Sequence, residues 1–159
     1  MCKRGMSGGG YTTIELLVVM AVLGILATAA MPLVELTATR NKERELKQAL
    51  WEIRRAIDGY KMAYDAGRIA KNGPPSGYPP SLAVLSQGVP DLATGGQVMY
   101  LLRRIPKDPF APDNVKAEAS WGLRSYQSPP EDPKEGADVF DVYSMSDKVG
   151  MNGIPYRLW

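Results

Sequence analysis

The sequence has 159 residues, enough for one domain, and it is 45% hydrophobic with a formal net charge of +2. It contains no histidine and one cysteine, Cys2, which excludes an intrachain disulfide, a Cys–His nucleophile and the commonest metal ligand. The small charge predicts no nucleic-acid partner, and the mean hydropathy of −0.20 excludes a multi-span membrane protein.

The N-terminal part changes from basic and glycine-rich, over residues 1–10, to strongly apolar. From Leu16 to Val34 the chain is uncharged, which is close to the ~20 residues that a helix needs to cross a bilayer core. We therefore predict one transmembrane helix over residues 11–35. Glu15 lies in its first turn. Because a carboxylate is unfavourable in lipid, a carboxylate at this position indicates a functional residue.

The apolar stretch continues into an amphipathic segment, residues 36–66, without a turn signal. Gly67 is a candidate C-terminal cap, so we expect one continuous helix from Tyr11 to Ala66. Apolar side chains recur every three or four residues in its second half and predict one buried stripe, at Leu46, Leu50, Ile53, Ile57, Tyr60 and Tyr64.

The remaining residues, 67–159, are predicted to form a globular region on this stripe. A loop rich in Gly and Pro precedes a short helix between Ser81 and Gly88. We expect residues 89–113 to be irregular, with a helical turn around residues 98–103. Strands are predicted at residues 121–127 and 139–145, joined by the acidic loop 129–138, with residues 155–159 as a candidate third edge strand. The predicted class is α+β, with the long helix packed on a small antiparallel sheet.

The residues leave three interpretations of the N-terminal segment open. A plain membrane anchor fits, because Lys3 and Arg4 would stay on the inner side of the membrane. A secretory signal peptide would use residues 27–29 as its cleavage site, but it leaves Glu15 unexplained and divides the helix. The third interpretation depends on the residues that precede the apolar stretch.

The segment GYTTIE, residues 10–15, with the apolar stretch behind it, resembles the prepilin motif of type IV pilins and of type II secretion pseudopilins. The resemblance implies that a prepilin peptidase cuts between Gly10 and Tyr11, removes the leader 1–10, and leaves the Tyr11 amine to be methylated. Tyr11 departs from the phenylalanine that is usual there. A type IV pilin-like fold is also implied.

The same resemblance implies an assembly role for Glu15, whose carboxylate would pair with the Tyr11 amine of a neighbouring copy. Such a head-to-tail contact builds an open helical filament, so the chain would be a homo-oligomer. Gly24 and Pro32 lie where helices of this family carry a glycine and a proline, and we expect the helix to loosen there.

Three later segments are similar to the major pseudopilin: GYP at 77–79, PKDPF at 106–110 and FDVYS at 140–144. The family then implies a structural, non-enzymatic subunit of a pseudopilus that drives protein secretion. Its partners would be other pseudopilins, the prepilin peptidase, an inner-membrane assembly platform and, before assembly, membrane lipid. Its location would be the bacterial inner membrane, as a single-pass protein with a periplasmic C-terminal domain.

Two alternatives to the pseudopilin interpretation stay open. One is a type IV pilus or competence-type pilin, although type IV major pilins usually carry a C-terminal disulfide, and no cysteine follows Cys2 here. The other is a membrane-anchored periplasmic binding domain.

Calcium is the one cofactor that the resemblance implies, because major pseudopilins bind it in a loop after the penultimate strand. Here the loop, residues 144–150, contains one obvious carboxylate, Asp147, with Lys148 beside it. Calcium takes about six to eight oxygen ligands, so Asp147 is a candidate ligand and an ordinary polar turn is the alternative. No catalytic constellation is present in the sequence, and we expect no catalytic residues.

Overall fold

The computed structural model describes residues 12–159, without the side chains of residues 29–33. This part of the chain is α+β, as predicted. It contains two helices, α1 (Thr13–Asp65) and α2 (Leu82–Gln87). Its strands are β1 (Val89–Asp91), β2 (Gln97–Met99), β3 (Trp121–Arg124) and β4 (Asp141–Ser144). Short 3-10 turns cover Leu92–Thr94, Glu118–Ser120 and Tyr156–Leu158.

The chain divides into two structural units, residues 1–39 and residues 40–159. The described part of the first unit is the N-terminal half of α1, which is rich in the good helix formers Ala, Leu and Met. The second half of α1 belongs to the second unit. The continuous helix that the sequence predicts is thus present, and Gly67 follows its end with a φ of +70°.

The predicted transmembrane helix needs correction. Among the residues that the structure describes, no helix is both long enough and apolar enough to cross a membrane. The predictions of a transmembrane helix and of a single-pass inner-membrane location are therefore wrong.

The core of the second unit forms on the predicted stripe of α1. Five of the six stripe residues are buried, namely Leu46, Leu50, Ile53, Ile57 and Tyr60, and Tyr64 packs against them. Each fully buried Leu or Ile contributes about 1.5–3 kcal/mol relative to an exposed position. Residues from the rest of the unit complete this core, among them Leu85, Leu102, Trp121 and Val142.

The strands form two antiparallel pairs rather than one sheet. β1 pairs with β2, with Pro90 opposite Val98. β3 pairs with β4, with Leu123 opposite Val142. Residues along β4 alternate between half-buried and buried, because successive side chains of a strand point to opposite faces.

Two local predictions for residues 67–159 are wrong. The helical turn expected around residues 98–103 is replaced by β2, which pairs with β1 as a hairpin in the region expected to be irregular. The candidate third edge strand is a 3-10 turn, Tyr156–Leu158, preceded by a single bridge between Val149 and Pro155.

Candidate functional site

The first unit exposes apolar side chains around the whole circumference of α1. Ile14 and Met20 are each 71% exposed, and every large apolar side chain between them is also exposed, namely Leu16, Leu17, Val18 and Val19. The exposed apolar surface continues through Val22, Leu23, Ile25 and Leu26. Consecutive residues of a helix point in different directions, about 100° apart, so no polar face remains on this segment.

Glu15 stands at the start of this apolar surface. Its amide donates to Thr12 Oγ1 at 3.3 Å and to the Thr12 carbonyl at 3.1 Å, so Thr12 is the N-cap of α1. The spacing Thr-x-x-Glu is that of a capping box, a sequence signal that identifies Thr12 as the cap. The Glu15 carboxylate is in the first turn, where it complements the helix dipole, and it has no ion-pair partner among the described residues.

The other N-terminal candidates fall only partly within the described residues. Gly10 and Tyr11, the predicted cleavage site and methylation site, lie outside them. Gly24 lies within α1, where an added Cβ would meet nothing within 4 Å. The side chain of Pro32 is not described. The backbone of α1 is helical at both Gly24 and Pro32. Loosening of the helix in an assembly therefore stays a prediction.

A buried carboxylate holds the segment 106–110 in the second unit. Asp108 is 1% exposed, and its oxygens accept from Ser144 Oγ at 2.6 Å and from the Phe110 amide at 2.7 Å. The Asp108 amide donates to Ser120 Oγ at 3.1 Å. Because a buried carboxylate without donors is strongly destabilising, these bonds fix the loop against β4.

A second cluster joins α1 to the strands. Asp141 in β4 accepts from Arg54 Nε at 2.7 Å and from Arg124 Nη2 at 3.2 Å. Arg54 Nη2 also donates to the carbonyls of Val142, at 3.1 Å, and Trp159, at 2.7 Å. These bonds hold β4 and residue 159 to the helix.

Glu43 connects α1 with the C-terminal segment. Its Oε1 accepts from the Met151 amide at 2.7 Å and from the Tyr156 hydroxyl at 3.1 Å. Burial, together with the hydrogen bond to the Glu43 carboxylate and its negative charge, raises the pKa of Tyr156 to about 12.

The candidate calcium ligand, Asp147, is exposed. Within the described residues no group of three or more Asp, Glu, His or Cys side chains could hold a metal ion. Asp147 therefore belongs to no such group in this part of the chain.

One feature of the second unit was missed by the sequence interpretation. A groove of about 530 Å³ lies between α1 and the C-terminal segment, with Trp51 on one side and Trp159 on the other. Trp51 interrupts the polar face of α1, which is the sequence signal that could have indicated an exposed aromatic contact. Its pairing with residue 159 depends on the tertiary structure.

Comparisons with models of known protein families, with curated proteins and with solved structures found no match.

Proposed function

We propose that this chain is a structural subunit of a type IV pilin-like filament, in which the N-terminal halves of α1 from many copies pack against one another. The observation that supports the proposal is the apolar surface of residues 14–26, exposed on every side of the helix. A helix that is apolar all round is ordinarily buried. Neighbouring copies can bury it, and each covered Leu, Ile or Val side chain contributes about 1.5–3 kcal/mol.

Glu15 would determine the register of this packing. Its carboxylate lies at one end of the apolar surface and has no cation partner among the described residues. In the proposed assembly, cleavage between Gly10 and Tyr11 creates a new amine, which is methylated and pairs with Glu15 of the next copy. Donor and acceptor lie at different places on one chain, so the contact is heterologous and propagates into an open helix.

Among such filaments we favour the pseudopilus of type II secretion, which drives protein export. The support comes from the segment 106–110, whose Asp108 is anchored by buried hydrogen bonds, and from the absence of any cysteine after Cys2. A type IV pilus or a competence-type pilin is the alternative assembly.

The first test removes the charge of Glu15 without changing its size. The Glu15→Gln variant keeps the backbone amide that Thr12 caps, and it loses the carboxylate that would pair with the neighbouring amine. We expect at least about a tenfold loss of filaments, since a charge pair in a low-dielectric contact is strongly favourable. Filaments are counted by electron microscopy in bacteria that carry the prepilin peptidase and a type II secretion machinery.

The matched control is Glu35→Gln, which removes a carboxylate from the same exposed half of α1 outside its first turn. This variant should form filaments as the wild type does. Mass spectrometry of the wild-type chain should find Tyr11 as a methylated first residue. Equal filament counts for the two variants, or a chain that keeps residues 1–10, would contradict the proposal. Filaments that form only with a type IV pilus machinery would favour the alternative assembly.

A further inference from the structure

The groove between α1 and the C-terminal segment combines aromatic walls with positive charge. We call it the tryptophan groove; its floor is the buried Leu50, and its walls include Trp51 and Trp159. Trp51 is 61% exposed and Leu158, at the rim, is 63% exposed. A concave surface of this size with large exposed aromatic and apolar side chains is typical of a binding site.

Two cations of this groove lack a carboxylate partner. Lys47 Nζ lies 4.6 Å from the centre of the Trp159 ring, and Arg55 Cζ lies 5.0 Å from the centre of the Trp51 ring. Neither forms an ion pair with any residue that the structure describes. Arg54, by contrast, pairs with Asp141 and donates to two carbonyls. The lining also includes a carboxylate, Asp58. The groove therefore offers two positive charges, each against a tryptophan, and one negative charge to an incoming ligand.

The acidic loop of the same unit has the complementary chemistry. We call residues 129–136 the proline loop, because three prolines stand among its acids: Pro129, Pro130 and Pro133. Asp132 pairs with Lys134 at 2.6 Å. Glu131 and Glu135 are exposed and form no ion pair within the described part of the chain.

The proline loop is held in one conformation by its own hydrogen bonds. Ser128 Oγ donates to the Asp132 carbonyl at 3.0 Å and accepts from the Lys134 amide at 2.8 Å. The Ser125 amide donates to the Lys134 carbonyl at 2.9 Å. Because the loop is already ordered, little conformational entropy is lost when it binds.

The groove and the loop are neighbouring but distinct surfaces. Leu158 and Trp159 line the groove, and they also line a separate cavity of about 170 Å³ that includes Pro130 and Pro133. One contact between two copies can therefore use the groove of one and the loop of the other, which leaves a groove and a loop open for further copies.

We propose that the tryptophan groove binds the proline loop of a second copy of this chain. Two unpaired cations meet two unpaired carboxylates, and the proline rings pack on the tryptophan faces. Charge complementarity of this kind determines which surfaces associate and in which register. The inference rests on the proposed function, which brings copies together, and it names the contact that the second units make.

Zero-length carbodiimide cross-linking tests this contact directly, because it joins a lysine to a carboxylate only where they touch. Full-length wild-type chain labelled with nitrogen-15 is mixed with unlabelled chain in mild detergent and cross-linked. We expect a peptide that joins Lys47 to Glu131 or Glu135, with half of the pairs carrying one label. Cross-links found only within one chain, or no such cross-link, would overturn the proposal.

Charge reversal provides the matched variants, read out by the mass of the cross-linked species. Arg55→Glu keeps Lys47 and both loop carboxylates as reacting groups, and it should lower the yield of the Lys47 cross-link about tenfold. The pair Glu131→Lys with Glu135→Lys removes the reacting carboxylates of the loop, so this chain alone should give no Lys47 cross-link to the loop. Mixing the two variant chains should restore linked pairs, because the Arg55→Glu groove presents a new carboxylate to the new lysines of the other chain's loop. Lys42→Glu, on an exposed part of α1 outside the groove, is the control and should leave the yield unchanged. Equal losses in the control, or no recovery on mixing, would contradict the proposal.

The two proposals fail separately. If Glu15→Gln abolishes filaments and the Lys47 cross-link persists, the contact stands without depending on the helix register. If wild-type filaments form and no cross-link joins the groove to the loop, the filament stands and the inference about this contact is wrong.

Discussion

Thr12 Oγ1 accepts a hydrogen bond from the Glu15 amide, and this bond uses none of the carboxylate oxygens of Glu15. The residue therefore contributes to the start of α1 through its backbone while its side chain remains available to another partner. A glutamate at this position stabilises the helix N-terminus in its own right, by about 0.3–1 kcal/mol where it is exposed. The Glu15→Gln variant keeps the capping hydrogen bond of the backbone and removes the charge of the side chain.

Tyr156 connects residue chemistry to pH. Its hydroxyl donates to Glu43, and its ring stacks on Phe110 with centroids 4.1 Å apart. The pKa of this hydroxyl is raised from 10.0 to about 12 in the folded chain, first by burial and then by Glu43. The neutral hydroxyl is thus favoured by folding, so its contribution is complete below about pH 10 and is lost as the pH rises towards 12.

We expect the free energy of unfolding of the wild type to fall as the pH rises from about 10 towards 12, and that of Tyr156→Phe to fall less. The phenylalanine keeps the ring stack and has no proton to lose, and at pH 8 the variant should be about 1 kcal/mol less stable for want of one hydrogen bond. Urea unfolding at each pH measures both values.

Two other tyrosines, which the wild type and the variant share, are the control for this prediction. Burial also raises the pKa of Tyr60 and Tyr78, and both residues are present in the wild type and in the variant. Parallel pH profiles of the two chains would show that Tyr156 does not carry the difference.

Among the elements, α1 follows most directly from its sequence. Its apolar stripe recurs at helical spacing, and the same residues form the core, because a stripe at this period can be buried only on one side of a helix. The strands β3 and β4 lie within their predicted segments, where aromatic and branched residues are concentrated. These parts of the fold have strong local signals.

The hairpin of β1 and β2 had no comparable signal. Each strand has three residues, Pro90 occupies the middle of β1, and the loop between them folds into a 3-10 turn. Proline ordinarily argues against a strand, and so short a run shows no clear alternation. The hairpin depends instead on tertiary contacts, such as the hydrogen bond from the Leu92 amide to the Arg68 carbonyl at 2.8 Å.

The junction between α2 and β1 depends on Gly88. Its φ of +86° and ψ of 158° lie in a region that only glycine adopts readily, and an added Cβ would come within 2.5 Å of Val98 Cγ1. We expect Gly88→Ala to destabilise the chain by at least about 2 kcal/mol. Chemical unfolding measures the change.

Gly95 provides the matched control. It also has a positive φ, +75°, but an added Cβ there meets nothing within 4 Å. Gly95→Ala should therefore lose only about 1 kcal/mol, from the backbone conformation alone. Similar losses at the two positions would show that contact with β2 contributes nothing at Gly88.

At the scale of the molecule, the core of the second unit begins at Leu46, and the hydrogen-bonded Glu43 precedes it. No buried apolar residue is found among the described residues before Leu46. We expect a chain that starts at Arg40 to unfold cooperatively at a temperature within about 3 °C of the full-length chain.

A chain that starts at Gln48 is the control, because it lacks both Glu43 and the buried Leu46. It should be less stable by about 2–5 kcal/mol, the loss typical of a buried leucine. Calorimetry compares the three chains. A large loss of stability in the chain that starts at Arg40 would show that the core depends on the first unit.

Some candidate surfaces could be predicted from neighbouring residues in the sequence, and others depend on residues that are distant along the chain. Glu15 was predicted because its charge is anomalous beside its immediate neighbours. The tryptophan groove was not predicted: Trp51 interrupts the polar face of α1, but Trp51 and Trp159 come together only through the tertiary fold. The ion pairs of Asp141 are of the same kind, since their partners lie far away along the chain.

The division of the strands into two pairs has a consequence for solubility. A two-stranded sheet leaves one side of every strand unpaired, and such edges can recruit strands of other molecules into amyloid-like aggregates. Pro90 removes one amide donor from β1, and with three residues that strand is too short to form a long template. Copies at high local concentration would thus be less prone to pair through backbone hydrogen bonds at this edge, and side chains would determine which contacts form.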